Sequence, residues 1–211
     1  FLLKAFNILP LKVFLMTNTL LVLLLLWWIL FNTNLSNKAK YWLLLVTMVS
    51  PMCLYIPWPH PEVFSFVFLF IGLLEVMNNR KFLASVFIAV ASLQNPAIIV
   101  VNVFLLVGEI WENRKITNLS WYISSSFIIA SLPYVFYWLN YRKLSLITDT
   151  AASVNFITIP KVLSIFVDPN FGLIIYVPVL LMVLIWLTFK RNLNATWGLI
   201  LLILMAIICA T

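Results

Sequence analysis

Long apolar stretches interrupted by short polar turns set the pattern of this chain. The runs occupy residues 13–31, 41–57, 63–77, 82–94, 97–110, 121–139, 173–189 and 197–210. Almost none carries the polar face at helical spacing that a water-exposed helix would show. A membrane-crossing helix needs roughly 20 apolar residues. The pattern therefore predicts an all-α, polytopic transmembrane helix bundle of about eight spans, several of them short, in a single domain over 1–211. The stretch 82–110 is long enough for one helix, but Gln94-Asn95-Pro96 in its middle predicts a break. Proline removes a backbone donor and disfavours helix at the residue before it. Two amides beside it are costly in hydrocarbon. The long polar interruption at about 140–172 predicts an external loop with a short interfacial helix around 156–166, and a loop of that size usually carries function.

Composition agrees with lipid as the main solvent. Hydrophobic residues make up 64% of the chain and charged ones 9%, with a mean hydropathy of +1.12, whereas a soluble domain carries roughly 25% charged residues. The formal net charge of +7 comes from 13 Lys+Arg against 6 Asp+Glu. The basic residues fall in pairs between apolar runs, a topology signal rather than a nucleic-acid footprint, so no nucleic-acid partner is expected. Lys38 with Lys40, Arg80 with Lys81, Arg114 with Lys115 and Lys190 with Arg191 occupy one set of alternating loops. The opposite turns at 57–61 and 94–96 hold no basic residue. The first set is therefore expected to be cytoplasmic. Asn34, Asn118 and Asn194 sit in glycosylation acceptor sequences in those loops, so no glycan is expected on them. Cys53 and Cys209 lie within apolar runs and imply no disulfide framework. The four glycines are few for a transporter built on broken helices. The chain opens on Phe1 without a signal-peptide pattern, which suggests a start inside a longer reading frame. Its Asn, Lys and Ile content suggests an AT-rich genome, and the expected location is a bacterial inner membrane.

Sorting by side gives the candidate chemistry. Glu75, Glu109 and Glu112 fall at cytoplasmic helix ends beside Lys and Arg, where solvated interfacial charge is the plain expectation. Glu62, Asp149 and Asp168 fall outside, with the single histidine His60 and with Gln94, Asn95, Asn155, Asn170 and Arg142. In Pro57-Trp58-Pro59-His60-Pro61-Glu62, three prolines impose a rigid approach to the next span, and Glu62 sits where helix amides favour a negative charge. Glu62 is thus either a helix-start acid or, with His60, a group projecting into an external cavity as general base, metal ligand or sugar-hydroxyl acceptor. No second His or Cys offers ligand spacing to His60, so the metal remains unknown, with a divalent ion as one option. Asp149 and Asp168 suit turn chemistry as well as a site. Arg142 and Lys143 suit a lipid phosphate or interfacial anchoring.

The order of these features resembles the multi-span glycosyltransferases of the GT-C type. The resemblance rests on Pro61-Glu62-Val63-Phe64-Ser65, Asn78-Asn79-Arg80-Lys81, Ala91-Ser92-Leu93-Gln94-Asn95-Pro96 and the basic turn at 111–115. Asp168-Pro169-Asn170-Phe171-Gly172-Leu173 and the opening Lys4-Ala5-Phe6-Asn7-Ile8-Leu9 add to it. The resemblance implies transfer of a sugar from a polyprenyl-phosphate donor to an acceptor on the non-cytoplasmic face, with membrane lipid as a partner. It implies Glu62 as a second acidic residue of the site, the principal one lying on a loop before Phe1. It also implies substrate contacts at Gln94, Asn95, Asp149, Asp168 and Arg142. Many such enzymes have Arg where this chain has Gln94-Asn95, a departure at the position of phosphate recognition. A transporter or lipid flippase, and a non-catalytic membrane scaffold, are the competing classes.

Overall fold

The computed structural model describes residues 10–58 and 62–143, together with Pro160 and Leu163. The described segments are helical, with no strand among them. In chain order the helices are α1 (Pro10–Phe31), α2 (Asn37–Val49), α3 (Glu62–Met77), α4 (Lys81–Ser92), α5 (Ile99–Asn113) and α6 (Asn118–Tyr141), with 3-10 turns at Pro51–Tyr55 and Pro96–Ile98. The chain divides into two compact units, 1–132 and 133–211. The first unit holds α1 to α5 and the first part of α6.

Three helical stretches are long and apolar enough to cross a membrane: Lys12–Phe31, Pro96–Asn113 and Asn118–Tyr141. α2, α3 and α4 have 13, 16 and 12 residues. At 1.5 Å per residue they reach only about 18–24 Å, short of a hydrocarbon core about 30 Å thick. The apolar run 41–57, expected as one span, is corrected: α2 ends at Val49, and Ser50 takes an extended conformation (ψ 152°) before Pro51 opens a 3-10 turn. A proline at 51 disfavours helical backbone at the residue before it. The same rule holds at the foreseen break, where α4 stops at Ser92 and Asn95 is extended ahead of Pro96. The predicted spans at 173–189 and 197–210 lie outside the described residues. Pro160 and Leu163 are helical and exposed within the predicted interfacial helix; the rest of that segment lies outside as well.

Local chemistry sets the helix ends. The Ser36 hydroxyl accepts from the Ala39 amide at 3.3 Å to start α2. Thr117 and Ser120 exchange side-chain and backbone hydrogen bonds at 3.1 and 3.2 Å at the start of α6. α3 closes with Asn79 in the left-handed region (φ 60°), which asparagine tolerates, and the Arg80 amide donates back to the Glu75 carbonyl at 2.9 Å. That tight turn folds α4 back antiparallel to α3.

Packing between these two helices depends on small residues. Ala84, Ser85, Ala89, Ala91 and Ser92 are buried on α4, and Ala84 with Ile88 lies opposite Gly72 of α3. A Cβ added to Gly72 would stand 2.7 Å from Ile88 Cγ1 and 3.2 Å from the Ala84 carbonyl, so the close approach requires glycine. On the other side of α3, Val63, Val67, Ile71 and Leu74 meet Val22, Leu25 and Ile29 of α1 and Met52 in one apolar core. Outward-facing positions stay apolar: Leu20, Leu23, Trp27 and Phe31 on α1 are about half exposed or more. Such a surface has no favourable contact with water but matches acyl chains.

Candidate functional site

Hydrogen bonds sort the loops into two ends. At one end, the buried Asn18 amide of α1 donates to the carbonyls of Tyr55, Ile56 and Trp58 at 3.4, 3.1 and 3.1 Å, holding the turn that leads to α3. At the other, the Trp28 Nε1 donates to Glu75 Oε1 at 2.8 Å, and Asn78 links to Asn32 and Asn34. The two contacts run α1 parallel to α3. Glu62 lies thirteen positions before Glu75, which sets it level with about residue 15 of α1, roughly 7 Å inside the end of that helix. The antiparallel return of α4 brings Gln94 and Asn95 to the same level. The structure thus gathers Glu62, Gln94 and Asn95, all exposed, at one end of the α3–α4 hairpin.

Their individual settings differ. Glu62 is the first residue of α3, where the helix amides favour its carboxylate. The Asn95 side-chain Oδ1 accepts from the Ala97 amide at 3.2 Å and caps the 3-10 turn, a bond in which its NH2 group takes no part. Arg142 belongs to the second unit; it is exposed, left-handed (φ 55°), and its amide donates to the Trp138 carbonyl at 3.1 Å at the end of α6. His60, Asp149 and Asp168 lie outside the described residues. Among the described residues no three His, Cys, Asp or Glu side chains converge as a metal site.

The opposite end corrects the expectation of solvated carboxylates. Glu75 is fully buried and Glu109 is 4% exposed; only Glu112 faces solvent. Glu75 accepts from Trp28 Nε1, from Asn78 Nδ2 at 3.1 Å and from Arg80 at 3.5 Å. Glu109 accepts from Lys81 at 2.8 Å, Asn113 at 2.7 Å and Thr117 at 3.2 Å, while Glu112 accepts from Lys81 at 2.6 Å. Lys81 precedes the apolar part of α4. Burial alone would lower the pKa of its ammonium, but the two carboxylates outweigh that and raise it above the ordinary 10.5. The signal was present in the spacing. Glu75 follows Ile71 by four positions and Glu109 follows Asn102 by seven, so each continues the buried stripe of its helix.

Lys40 donates to the Leu30 carbonyl at 2.8 Å. With the Asn34–Asn78 and Lys81–Glu109 links, this collects the basic turns at 38–40, 80–81 and 114–115 at one end, away from Glu62. Between the two ends, fully buried Asn102 of α5 donates to the Ser85 carbonyl at 2.8 Å and the Ser126 hydroxyl at 3.2 Å, while its Oδ1 has no partner among the described residues.

No protein-family model, curated protein or solved structure matches this chain.

Proposed function

We propose that this chain is part of a multi-pass membrane glycosyltransferase of the GT-C type, with about eight spans, in a bacterial inner membrane. It moves a sugar from a polyprenyl-phosphate donor to an acceptor at the end of the bundle opposite the basic turns. The observation that carries this reading is the placement of exposed Glu62 level with Gln94 and Asn95, recessed relative to the end of α1. A carboxylate there is positioned to take the proton of an acceptor hydroxyl, and the two amides to bind sugar hydroxyls or phosphate oxygens. The Asn95 NH2 group, free of the capping bond, supplies donors of the kind a departing phosphate needs. His60, Asp149, Asp168 and Arg142 are further candidates for donor or metal binding on the sequence pattern alone.

The test is sugar transfer from polyprenyl-phosphate donors by the full-length protein in membranes, comparing wild type with Glu62→Gln. The expected result is a loss of turnover of about 10²-fold or more at normal expression, the size of a general-base contribution. Unchanged turnover would reduce Glu62 to a helix-start residue and remove it from the mechanism. Absence of transfer by the wild type with every donor class would favour a transporter, for which the unpaired oxygen of Asn102 inside the helices is the relevant feature.

A further inference from the structure

We propose that the outward face of α2, at the basic end of the bundle, binds an anionic phospholipid. Among the described residues, Lys38, Tyr41, Trp42 and Leu45 line an open cleft of about 410 Å³. They recur at i, i+3, i+4 and i+7, one face of a helix. Tyr41, Trp42 and Leu45 are 67%, 59% and 52% exposed, although these side chains are large and apolar over most of their surface. The face therefore presents a cation at one end and apolar walls along the remaining length.

That layout is the shape of a lipid rather than of a free anion. Lys38 and Leu45 are seven positions apart, about 10 Å along the helix axis. A phosphate held at Lys38 would leave its acyl chains running past Trp42 and Leu45, toward the interior of the bilayer. Tyr41 and Trp42 supply the amphipathic rings suited to headgroup depth. The two lysines of this turn have different tasks. Lys40 is committed to the Leu30 carbonyl at the end of α1. Lys38 is exposed and, among the described residues, has no ion-pair partner. Arg80 and Lys81 are likewise engaged with Glu75 and with Glu109 and Glu112. Charge complementarity selects an anionic headgroup at Lys38, and the apolar floor selects one that carries acyl chains. The site lies at the opposite end from Glu62 and does not depend on the glycosyltransferase reading.

The experiment is native mass spectrometry of the full-length protein, stripped of lipid and titrated with phosphatidylglycerol, phosphatidylcholine or inorganic phosphate. Wild type should retain phosphatidylglycerol in preference to phosphatidylcholine. Lys38→Gln should weaken phosphatidylglycerol binding about fivefold, the effect of one lysine near an anionic membrane surface, and Lys38→Arg should restore it. Trp42→Ala should weaken both lipids. Lys115→Gln, an exposed basic residue of the same end, is the control for diffuse attraction. An equal loss from Lys115→Gln, equal retention of the two lipids, or no change from Lys38→Gln would each overturn the proposal. Displacement of phosphatidylglycerol by inorganic phosphate at equal concentration would reduce the site to an anion site and overturn the lipid assignment. Occupation of the cleft by the chain's own later segments would show as no lipid retained by the wild type.

Discussion

Lys81 and Glu109 show how one polar pair at a helix end can matter more than its surface position suggests. The Glu109 side chain is only 6% exposed and that of Lys81 23%, so neither charge is well hydrated. Removing one partner leaves the other charge buried and uncompensated, which costs more than the pair contributes. Lys81→Met is expected to destabilise the protein by about 3 kcal/mol, the lower end of the range because the lysine keeps some access to water. Lys81→Met with Glu109→Leu should recover most of that loss, since an apolar pair needs no compensation. Thermal unfolding in detergent checks both. If the double variant were as unstable as Lys81→Met alone, the charge argument would fail. Because the Lys81 pKa is raised, the stability it contributes is fully present below pH 10.5. It is lost only as the pH rises through the raised folded-state value, so no Lys81-linked loss is expected near neutral pH. At this scale the sequence was only partly legible. The helix-start signal at Glu62 matches the first residue of α3, whereas nearness to Lys and Arg points to solvated carboxylates at Glu75 and Glu109, which the buried stripe of each helix overrides.

At the scale of elements, the proline breaks and the cores of the longer helices were readable, and the interhelical contacts were not. Hydropathy gave α1 to within three residues of its start and its last residue outright, and the proline rule gave the 94–96 break. Hydropathy alone misjudged 41–57, where Ser50-Pro51 carries the same signal as Asn95-Pro96. What an almost uniformly apolar helix cannot show is which face meets a neighbour, because lipid and protein interior accept the same side chains. The α3–α4 contact at Gly72 supplies a direct test. Gly72→Val adds atoms where a Cβ already stands 2.7 Å from Ile88 Cγ1 and 3.2 Å from the Ala84 backbone. It should cost about 1–3 kcal/mol by forcing the helices apart. Among the described residues, no atom lies within 4 Å of a Cβ added to Gly108. Gly108→Ala should be neutral or stabilise by up to about 1 kcal/mol through helix propensity. Equal effects at the two glycines, measured by unfolding of the solubilised protein, would show that close approach at Gly72 is not limiting.

At the largest scale, the decisive property of the first unit is the separation of its basic turns from the others. The charge asymmetry of the loops was legible as a pattern of alternation, and the hydrogen bonds give that alternation a spatial meaning. Turns at 38–40, 80–81 and 114–115 converge through Lys40 to Leu30, Asn34 to Asn78 and Lys81 to Glu109. Asn18 and the carbonyls of 55–58 mark the other end. A bundle whose turns at 38–40, 80–81 and 114–115 are basic, while those at 57–61 and 94–96 hold no basic residue, should insert in a single orientation, with the basic turns facing the cytoplasm. Single cysteines placed at Lys115 and at Gln94, both exposed, in a background of Cys53→Ser and Cys209→Ser, turn this into a measurement. A membrane-impermeant thiol reagent should label Lys115→Cys only in vesicles with the cytoplasmic face outward, and Gln94→Cys only in vesicles of the opposite orientation. Labelling of both from one side would mean that α5 does not carry the chain across. The placement of Glu62 and Gln94 on the donor side would then fail with it. The predicted pattern would instead fix the face on which a lipid-linked sugar must be supplied to reach Glu62. It would also put Lys38 in the leaflet that meets the basic end, so the two proposed sites address different lipid pools.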